Sequence, residues 1–496
     1  MKLKKFGLSL PLLLITSFAL LLRLVTLPEL MVFTPDEAYI LYIVQTLVKD
    51  FHVIWIGVSA LGFDFYMGPG WMYFLYPFIA IFKGDPLIPG IITSLFGVAT
   101  TVLLYWLGKK LFNLKVGILA SVLYATSALM VYYDQQPYPP GVPLLSILIL
   151  ISLYLTKYTQ IGWIIFAFLY GLVFHVHLSL VLILATGIYW FIYRRKSVDK
   201  KTILLSIVAF LIAIFPLIVF DFNHNFSNIT APLRVIETAK TQSKTLNLNY
   251  RADTLLKSFS RVWYLDWGKT NQDEILYPCN TKPSSTTTGS VPILVMLSTI
   301  LLGVFLLTKN VWRDDKKRLL LVYSLSLLIP FLFLSAISPV EYYLLPFFPV
   351  FFVIIAYSVD LLPKRLKYAS YFFLIILIIH NIFTVLGANG DFGINTKKAL
   401  INKVMLAIGD APYELSEIGG PCQGTAGWRY LFLTYSRKPE RSSEDRNFSW
   451  LWTDQMSDRP VKHSVVVTED RAIEEVSQGY TNSIQEGGFT AYIYEH

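Results

Sequence analysis

Long apolar runs broken by short polar stretches fill positions 1–386 of the chain. A helix crosses a bilayer with roughly 17–25 mostly apolar residues. Runs of that kind fall at 6–27, 86–108, 116–133, 140–156, 202–220, 291–308, 318–337, 341–360 and 368–386. The stretch 161–193 is too long for one ordinary span, and it predicts a tight hairpin of two short ones turning near His175–His177. The pattern therefore predicts a polytopic α-helical membrane protein of about eleven transmembrane helices. Segment 69–83, with Trp71, Tyr73, Phe74, Tyr76 and Pro77, is too short to cross and too aromatic for bulk solvent. It reads as an interfacial or re-entrant piece.

Beyond position 386 the pattern turns polar. Helical periodicity near 396–408 and 426–436, with strand-like runs at 463–468 and 489–494, predicts a small C-terminal α/β domain over 387–496. Two more stretches lie outside the spans: 28–85, with a helix expected at 35–48, and 221–290, which ends in the linker Ser284-Ser285-Thr286-Thr287-Thr288-Gly289-Ser290. The transmembrane domain is thus 1–386. No internal repeat is visible.

Composition agrees. The chain is 54% hydrophobic and 15% charged, against about 25% charge in soluble chains, which excludes a soluble enzyme of several domains. The net charge of +9 is a matter of sidedness. Six short basic segments, from Lys2/Lys4/Lys5 to Lys364/Arg365/Lys367, hold 20 Lys+Arg and three Asp, a net +17 that leaves −8 elsewhere. All six fall on one face only if 161–193 is a hairpin. Basic loops mark the cytoplasmic side, so the N-terminus is expected inside and the C-terminal domain outside the plasma (inner) membrane. Nucleic acid drops out as a partner. The first span lacks a small-residue cleavage site and reads as a span rather than a cleaved signal peptide.

Candidate chemistry lies on the outer side. Thr34-Pro35-Asp36-Glu37 follows the first span. Thr34 with Glu37 three residues on fits a capping box, with Pro35 in the first helical position. If Glu37 folds back on the cap, Asp36 is left to face the membrane interface as a general base. The helix amide end beside it would favour an anion such as phosphate. Phe63-Asp64-Phe65-Tyr66-Met67-Gly68-Pro69-Gly70-Trp71 is either an aromatic belt or a loop where backbone and Tyr66 approach a lipid-linked substrate. In Tyr132-Tyr133-Asp134-Gln135-Gln136-Pro137-Tyr138-Pro139-Pro140, Asp134, Gln135 and Gln136 suit sugar hydroxyls, although a solvated turn explains them equally. His175 and His177 are candidates for phosphate or sugar contact, and as alternate residues they lack the ligands of a zinc site. Glu341-Tyr342-Tyr343 opens the tenth span, where tyrosine is an ordinary anchor but can also donate to phosphate. Asp221-Phe222-Asn223-His224-Asn225 can cap the end of the seventh span.

Absences narrow the field. The sequence has no phosphate-binding Gly-rich loop ending in Lys-Ser/Thr, no Asp-x-Asp pair and no G-x-S-x-G elbow. No metal or cofactor is called for. Few ionisable residues interrupt the spans, which argues against the alternative of a lipid or polysaccharide transporter or flippase. A non-catalytic scaffold presenting the C-terminal domain would need only one span.

The layout resembles the membrane glycosyltransferases of the C-type fold, and within them glycosyltransferase family 39, the protein O-mannosyltransferases and bacterial aminoarabinose transferases. The resemblance rests on Asp36-Glu37, the glycine–proline–aromatic element at 68–76, Gly84-Asp85-Pro86-Leu87 leading to Leu95-Phe96-Gly97, and Tyr342-Tyr343-Leu344-Leu345-Pro346. It covers roughly 1–386. It implies a polyprenyl-phosphate sugar donor, a lipid, glycan or protein acceptor on the outer face, and Asp36 as the base. Some members carry Lys-Pro-Pro where this chain has Gly68-Pro69-Gly70, so the contact to the donor phosphate is unassigned; His175, His177 and Tyr343 are the substitutes.

Cys279 and Cys422 are the only cysteines, and both are expected outside, where a disulfide can form. Asn225, Asn228 and Asn447 begin possible glycan-acceptor triplets.

Overall fold

The computed structural model describes residues 9–60, 65–231, 233–234, 247–265, 291–308, 311–334, 340–388, 390–418, 427–469, 476 and 478–496. The expected Cys279–Cys422 disulfide and the 284–290 linker lie outside these residues.

The chain is mostly helical. α1 (Leu10–Val25), α2 (Leu27–Leu30), α3 (Pro35–Lys49), α4 (Gly70–Ile81) and α5 (Leu87–Leu111) build the N-terminal part. α6 (Leu114–Thr126), α7 (Ala128–Gln135), α8 (Val142–Leu155) and α9 (Ile161–Val176) follow, then a 3-10 turn at Leu178–Ile183, α10 (Leu184–Arg194) and α11 (Lys200–Asn223). After these come α12 (Leu248–Arg261), α13 (Pro292–Leu306), α14 (Asp315–Phe333), α15 (Phe348–Leu361) and α16 (Lys364–Leu386). Among the described residues, four helical runs are long and apolar enough to cross a membrane: Leu87–Leu111, Leu178–Ser197, Lys200–Asn223 and Lys364–Leu386. A fifth is the bent pair α6–α7, and six apolar helices are shorter. α11 and α16 turn large side chains outward, among them Leu204, Ile212, Phe215, Phe372 and Phe383, as lipid-facing helices do.

The 161–193 stretch is a hairpin. The backbone extends at His177 and the chain doubles back. The Trp163 and Phe191 rings meet at 5.6 Å, and Gln160 Nε2 donates to the Ser197 carbonyl at 2.6 Å. Segment 69–83 holds the 12-residue α4, which buries Trp71, Met72, Leu75 and Ile79. α6 and α7 meet at a 65° bend at Ser127. The Ala128 amide freed there is taken by Asn381 Oδ1 of α16 at 3.2 Å.

Beyond α16, α17 (Ile394–Ile408) and α18 (Trp428–Tyr435) flank a five-stranded sheet of β3 (Tyr413–Ile418), β4 (Arg441–Ser442), β5 (His463–Glu469), β6 (Asn482–Glu486) and β7 (Phe489–Glu495). A two-stranded ribbon, β1 (Ser59–Ala60) with β2 (Phe65–Tyr66), lies upstream. The sheet order is β4-β3-β5-β7-β6, parallel through β4, β3 and β5 and antiparallel from β5 onward. Its alternating Val465, Val467, Ala491 and Ile493 are buried in one hydrophobic core with Ile40, Leu41 and Val44 of α3 and Leu75 of α4. The α/β unit is thereby seated on the helix that carries Asp36.

Candidate functional site

α3 starts as its sequence dictates. Thr34 is the N-cap, Pro35 the first helical residue, and Glu37 folds back so that its carboxylate accepts the Thr34 amide at 2.8 Å and the Thr34 hydroxyl. Glu37 is buried, and that burial raises its carboxyl from 4.5 to about 7 against the pull of the Thr34 hydrogen bonds. The side chain is committed to the cap, so of the two predicted catalytic acids only Asp36, half-buried, is placed for chemistry.

Asp36 faces a cage of rings. Burial and then the Asp36 charge push the Tyr138 hydroxyl upward. The Tyr138 ring lies 6.2 Å from His177, and His177 lies 5.4 Å from both Tyr342 and Tyr343, which stack on each other at 4.8 Å. The 3-10 turn after α9 sets the histidine: the Ser179 amide donates to its Nδ1 at 3.2 Å, with the Ser179 hydroxyl at 2.9 Å. A neutral ring with Nδ1 as acceptor carries its proton on Nε2, which makes it a hydrogen-bond donor. The expected set Asp36, His177, Tyr342 and Tyr343 is brought together, with Tyr138 added. Tyr138 sits in the run singled out at 132–140, where the adjacent carboxylate and amides drew the expectation instead.

Three expected contacts are corrected. His175 uses both ring nitrogens in the scaffold: Nδ1 accepts the Gly70 amide at 3.0 Å and Nε2 is 2.8 Å from the Ala213 carbonyl. It therefore clamps the Gly68-Pro69-Gly70 turn to α11. Asp134 is 5% exposed and pairs with the Arg23 guanidinium at 2.8 Å, while the Tyr124 hydroxyl donates to it at 2.9 Å. Gln135, fully buried, donates to the Arg23 carbonyl and the Thr26 hydroxyl. A low-dielectric interior demands such pairing, and it holds the end of α1 against α7 away from any sugar. Gln136 joins the same seam through Val32 and Leu30.

Tyr66 has its backbone pinned by Asn228, which accepts from its amide at 2.9 Å and donates to its carbonyl at 3.0 Å. Its ring packs on Phe220 at 5.5 Å, and its hydroxyl influences Tyr39, one turn beyond Asp36. Asn228 is consequently buried and occupied, unlike an accessible glycan acceptor. A second buried ion pair, Arg261–Glu341 at 2.6 Å, with the Tyr133 hydroxyl 3.1 Å from Glu341, anchors the turn that bears Tyr342 and Tyr343.

The arrangement of spans around an outer acidic helix start has close parallels in shape. The structure superposes on ArnT from Cupriavidus metallidurans in the apo state with a TM-score of 0.57, at 9% identity over 97% of each chain. The fold is that of the C-type membrane glycosyltransferases. The same ArnT bound to undecaprenyl phosphate gives a TM-score of 0.54 at 9% identity, again over 97% of each chain. The apo oligosaccharyltransferase of Archaeoglobus fulgidus gives 0.53 at 11% identity, over 94% of this chain and 70% of that one. Residues 67–220 match the family model described as dolichyl-phosphate-mannose-protein mannosyltransferase. No curated protein matches the sequence. The matched stretch runs from the Gly68 turn through Tyr138 and His177 to the end of α11, and includes much of the ring cage.

Proposed function

We propose that this chain is a membrane glycosyltransferase that moves a sugar from a polyprenyl-phosphate donor to a hydroxyl of a lipid, glycan or protein acceptor on the outer face of the membrane. The observation that carries the reading is Asp36, presented by a capped helix start to the Tyr138–His177–Tyr342–Tyr343 cage. The match of 67–220 to a lipid-phosphate sugar transferase family and the likeness to an ArnT bound to undecaprenyl phosphate support the donor class. Eleven spans, a cytoplasmic N-terminus, an extracytoplasmic 387–496 domain and residence in the plasma (inner) membrane complete the proposal.

The chemistry asks for one carboxylate. A glycosidase needs an acid to protonate a poor leaving group and a second carboxylate to attack or to activate water. A sugar phosphate leaves as a phosphate anion, with the electron pair of the broken anomeric C–O bond on its oxygen, and hydrogen-bond donors suffice to stabilise it. Asp36 takes the acceptor's hydroxyl proton as that oxygen attacks the anomeric carbon from the opposite side, so the configuration inverts. His177 Nε2–H and the Tyr342 and Tyr343 hydroxyls are the donors toward the leaving group. The test is incubation of the purified protein with a panel of polyprenyl-phosphate sugars, following release of free polyprenyl phosphate. Release from at least one member that depends on an added acceptor supports the reading, and no release from any member overturns it.

A further inference from the structure

The departure from Lys-Pro-Pro leaves open what meets the donor phosphate, and the amino end of α4 offers an answer. Pro69 caps the helix, and the Gly70 amide goes to His175. The next two amides, of Trp71 and Met72, precede the first intrahelical bond, which runs from the Tyr73 amide to the Pro69 carbonyl at 3.0 Å. Amides so placed, with the helix dipole behind them, favour an anion. A second observation points the same way. Trp71 is nine-tenths buried, and its indole N–H has no hydrogen-bond partner among the described residues. The ring is stacked on Phe74 at 5.7 Å. A buried donor without an acceptor is uncommon in a folded protein and calls for an explanation.

Beside this helix end lies a cleft of about 270 Å³ lined by Trp71 and Met72, with Ile40, Met67, Tyr138 and Val176 among its other walls. Its side-chain hydrogen-bonding groups are few: the Tyr138 hydroxyl, the Trp71 indole and the already committed His175. A sugar ring carries more hydroxyls than these walls can satisfy, whereas hydrocarbon suits them. Ile40 is one turn from Asp36 on the same face of α3, and Tyr138 is common to cleft and cage.

We propose that the amides of Trp71 and Met72, with the Trp71 indole N–H, bind the phosphate of a polyprenyl phosphate and that the cleft receives its first isoprene units. The inference rests on the donor class proposed above and specifies where this chain holds it. Gly68 and Gly70 belong to the device. A Cβ on Gly68 would lie 2.2 Å from His175 Nδ1, and one on Gly70 2.9 Å from the same ring. Small residues let the histidine seat the turn, and helix amides take the place of a lysine.

The test uses the purified full chain and two soluble probes, farnesyl phosphate and farnesol, with no sugar transfer involved. Farnesyl phosphate is expected to bind more tightly than farnesol. Trp71→Phe, which keeps an aromatic ring and removes the N–H, should weaken farnesyl phosphate about tenfold and leave farnesol within about twofold. Hydrogen exchange of the wild-type chain provides a readout that needs no variant: farnesyl phosphate should protect the first turn of α4 and farnesol should not. Equal losses for both probes, no loss for either, or protection that spares α4 would overturn the assignment. A chain that transfers sugar from a polyprenyl-phosphate donor yet fails these tests loses the α4 site alone. A chain that passes them but transfers no sugar loses the proposed function alone.

Discussion

The ammonium of Lys397 donates to the backbone carbonyl of Phe33 at 2.6 Å, joining the C-terminal α/β unit to the residue just before the Thr34 cap. The lysine is buried, and its Nζ lies 5.2 Å from the centres of both the Trp428 and Phe489 rings. Cation–π attraction of this kind offsets part of the cost of burying the charge. Neighbouring contacts act on the same stretch: the Ile394 amide donates to the Met31 carbonyl at 3.1 Å, and the Tyr430 hydroxyl to the Gly84 carbonyl at 2.7 Å.

Lys397→Met should therefore do two things. It leaves a buried carbonyl without its donor, a loss of about 1–3 kcal/mol, visible as a lower thermal unfolding midpoint in detergent. It also loosens the start of α3, so turnover of the folded fraction should fall. Unchanged midpoint and turnover would show that the α/β unit does not brace the Asp36 helix.

Glu37 gives a pH signature. Its carboxyl titrates near 7 when folded and near 4.5 when unfolded, because burial penalises the charge. The folded chain keeps the proton through that window while the unfolded chain releases it, so stability is highest below the unfolded value and falls as pH rises through 7. The full drop is about 3 kcal/mol by linkage. Glu37→Gln can still accept the Thr34 amide and should flatten this dependence. Denaturation midpoints between about pH 5 and about pH 8 check it, and equal slopes for the two proteins would contradict it.

Gly68→Ala should displace His175 from the Gly70 amide and the Ala213 carbonyl, since the added Cβ falls 2.2 Å from its Nδ1. Overpacking of this kind costs about 1–3 kcal/mol. A thermal midpoint equal to wild type would mean that the turn has room to move.

Asp134→Asn separates a structural role from a substrate role. It breaks the buried pair with Arg23, which costs about 3–5 kcal/mol when one partner is removed. The expected result is a lower yield of folded protein with an unchanged donor KM in the fraction that folds. A raised KM at wild-type stability would restore Asp134 as a sugar contact.

Particular residues show what was legible in the sequence. Thr34 and Glu37 stand three positions apart, so the cap could be read locally, and it appears in the structure. The turn at His177 followed from where lysines and arginines fall, a signal imposed by the membrane. The alternation in 463–468 and 489–494 located two strands of the sheet, whereas β3 and β6 were not anticipated. Long-range partnerships were not legible. Asp134 lies 111 positions from Arg23, and Lys397 lies 364 from Phe33. A polar residue next to prolines looks like a solvated turn until its buried partner is known, and this misdirected the expectation for Asp134 and Gln135. His175 and His177 looked alike in sequence, but the bend between them sends one into the scaffold and the other into the cage.

The central claim is that Asp36 takes the proton of the incoming hydroxyl. The most direct measurement compares wild type with Asp36→Asn, as folded protein in detergent, for transfer from a polyprenyl-phosphate sugar, with donor binding measured alongside. The account predicts that turnover falls by about 100-fold or more while donor affinity stays near wild type. Near-native turnover in Asp36→Asn would contradict it.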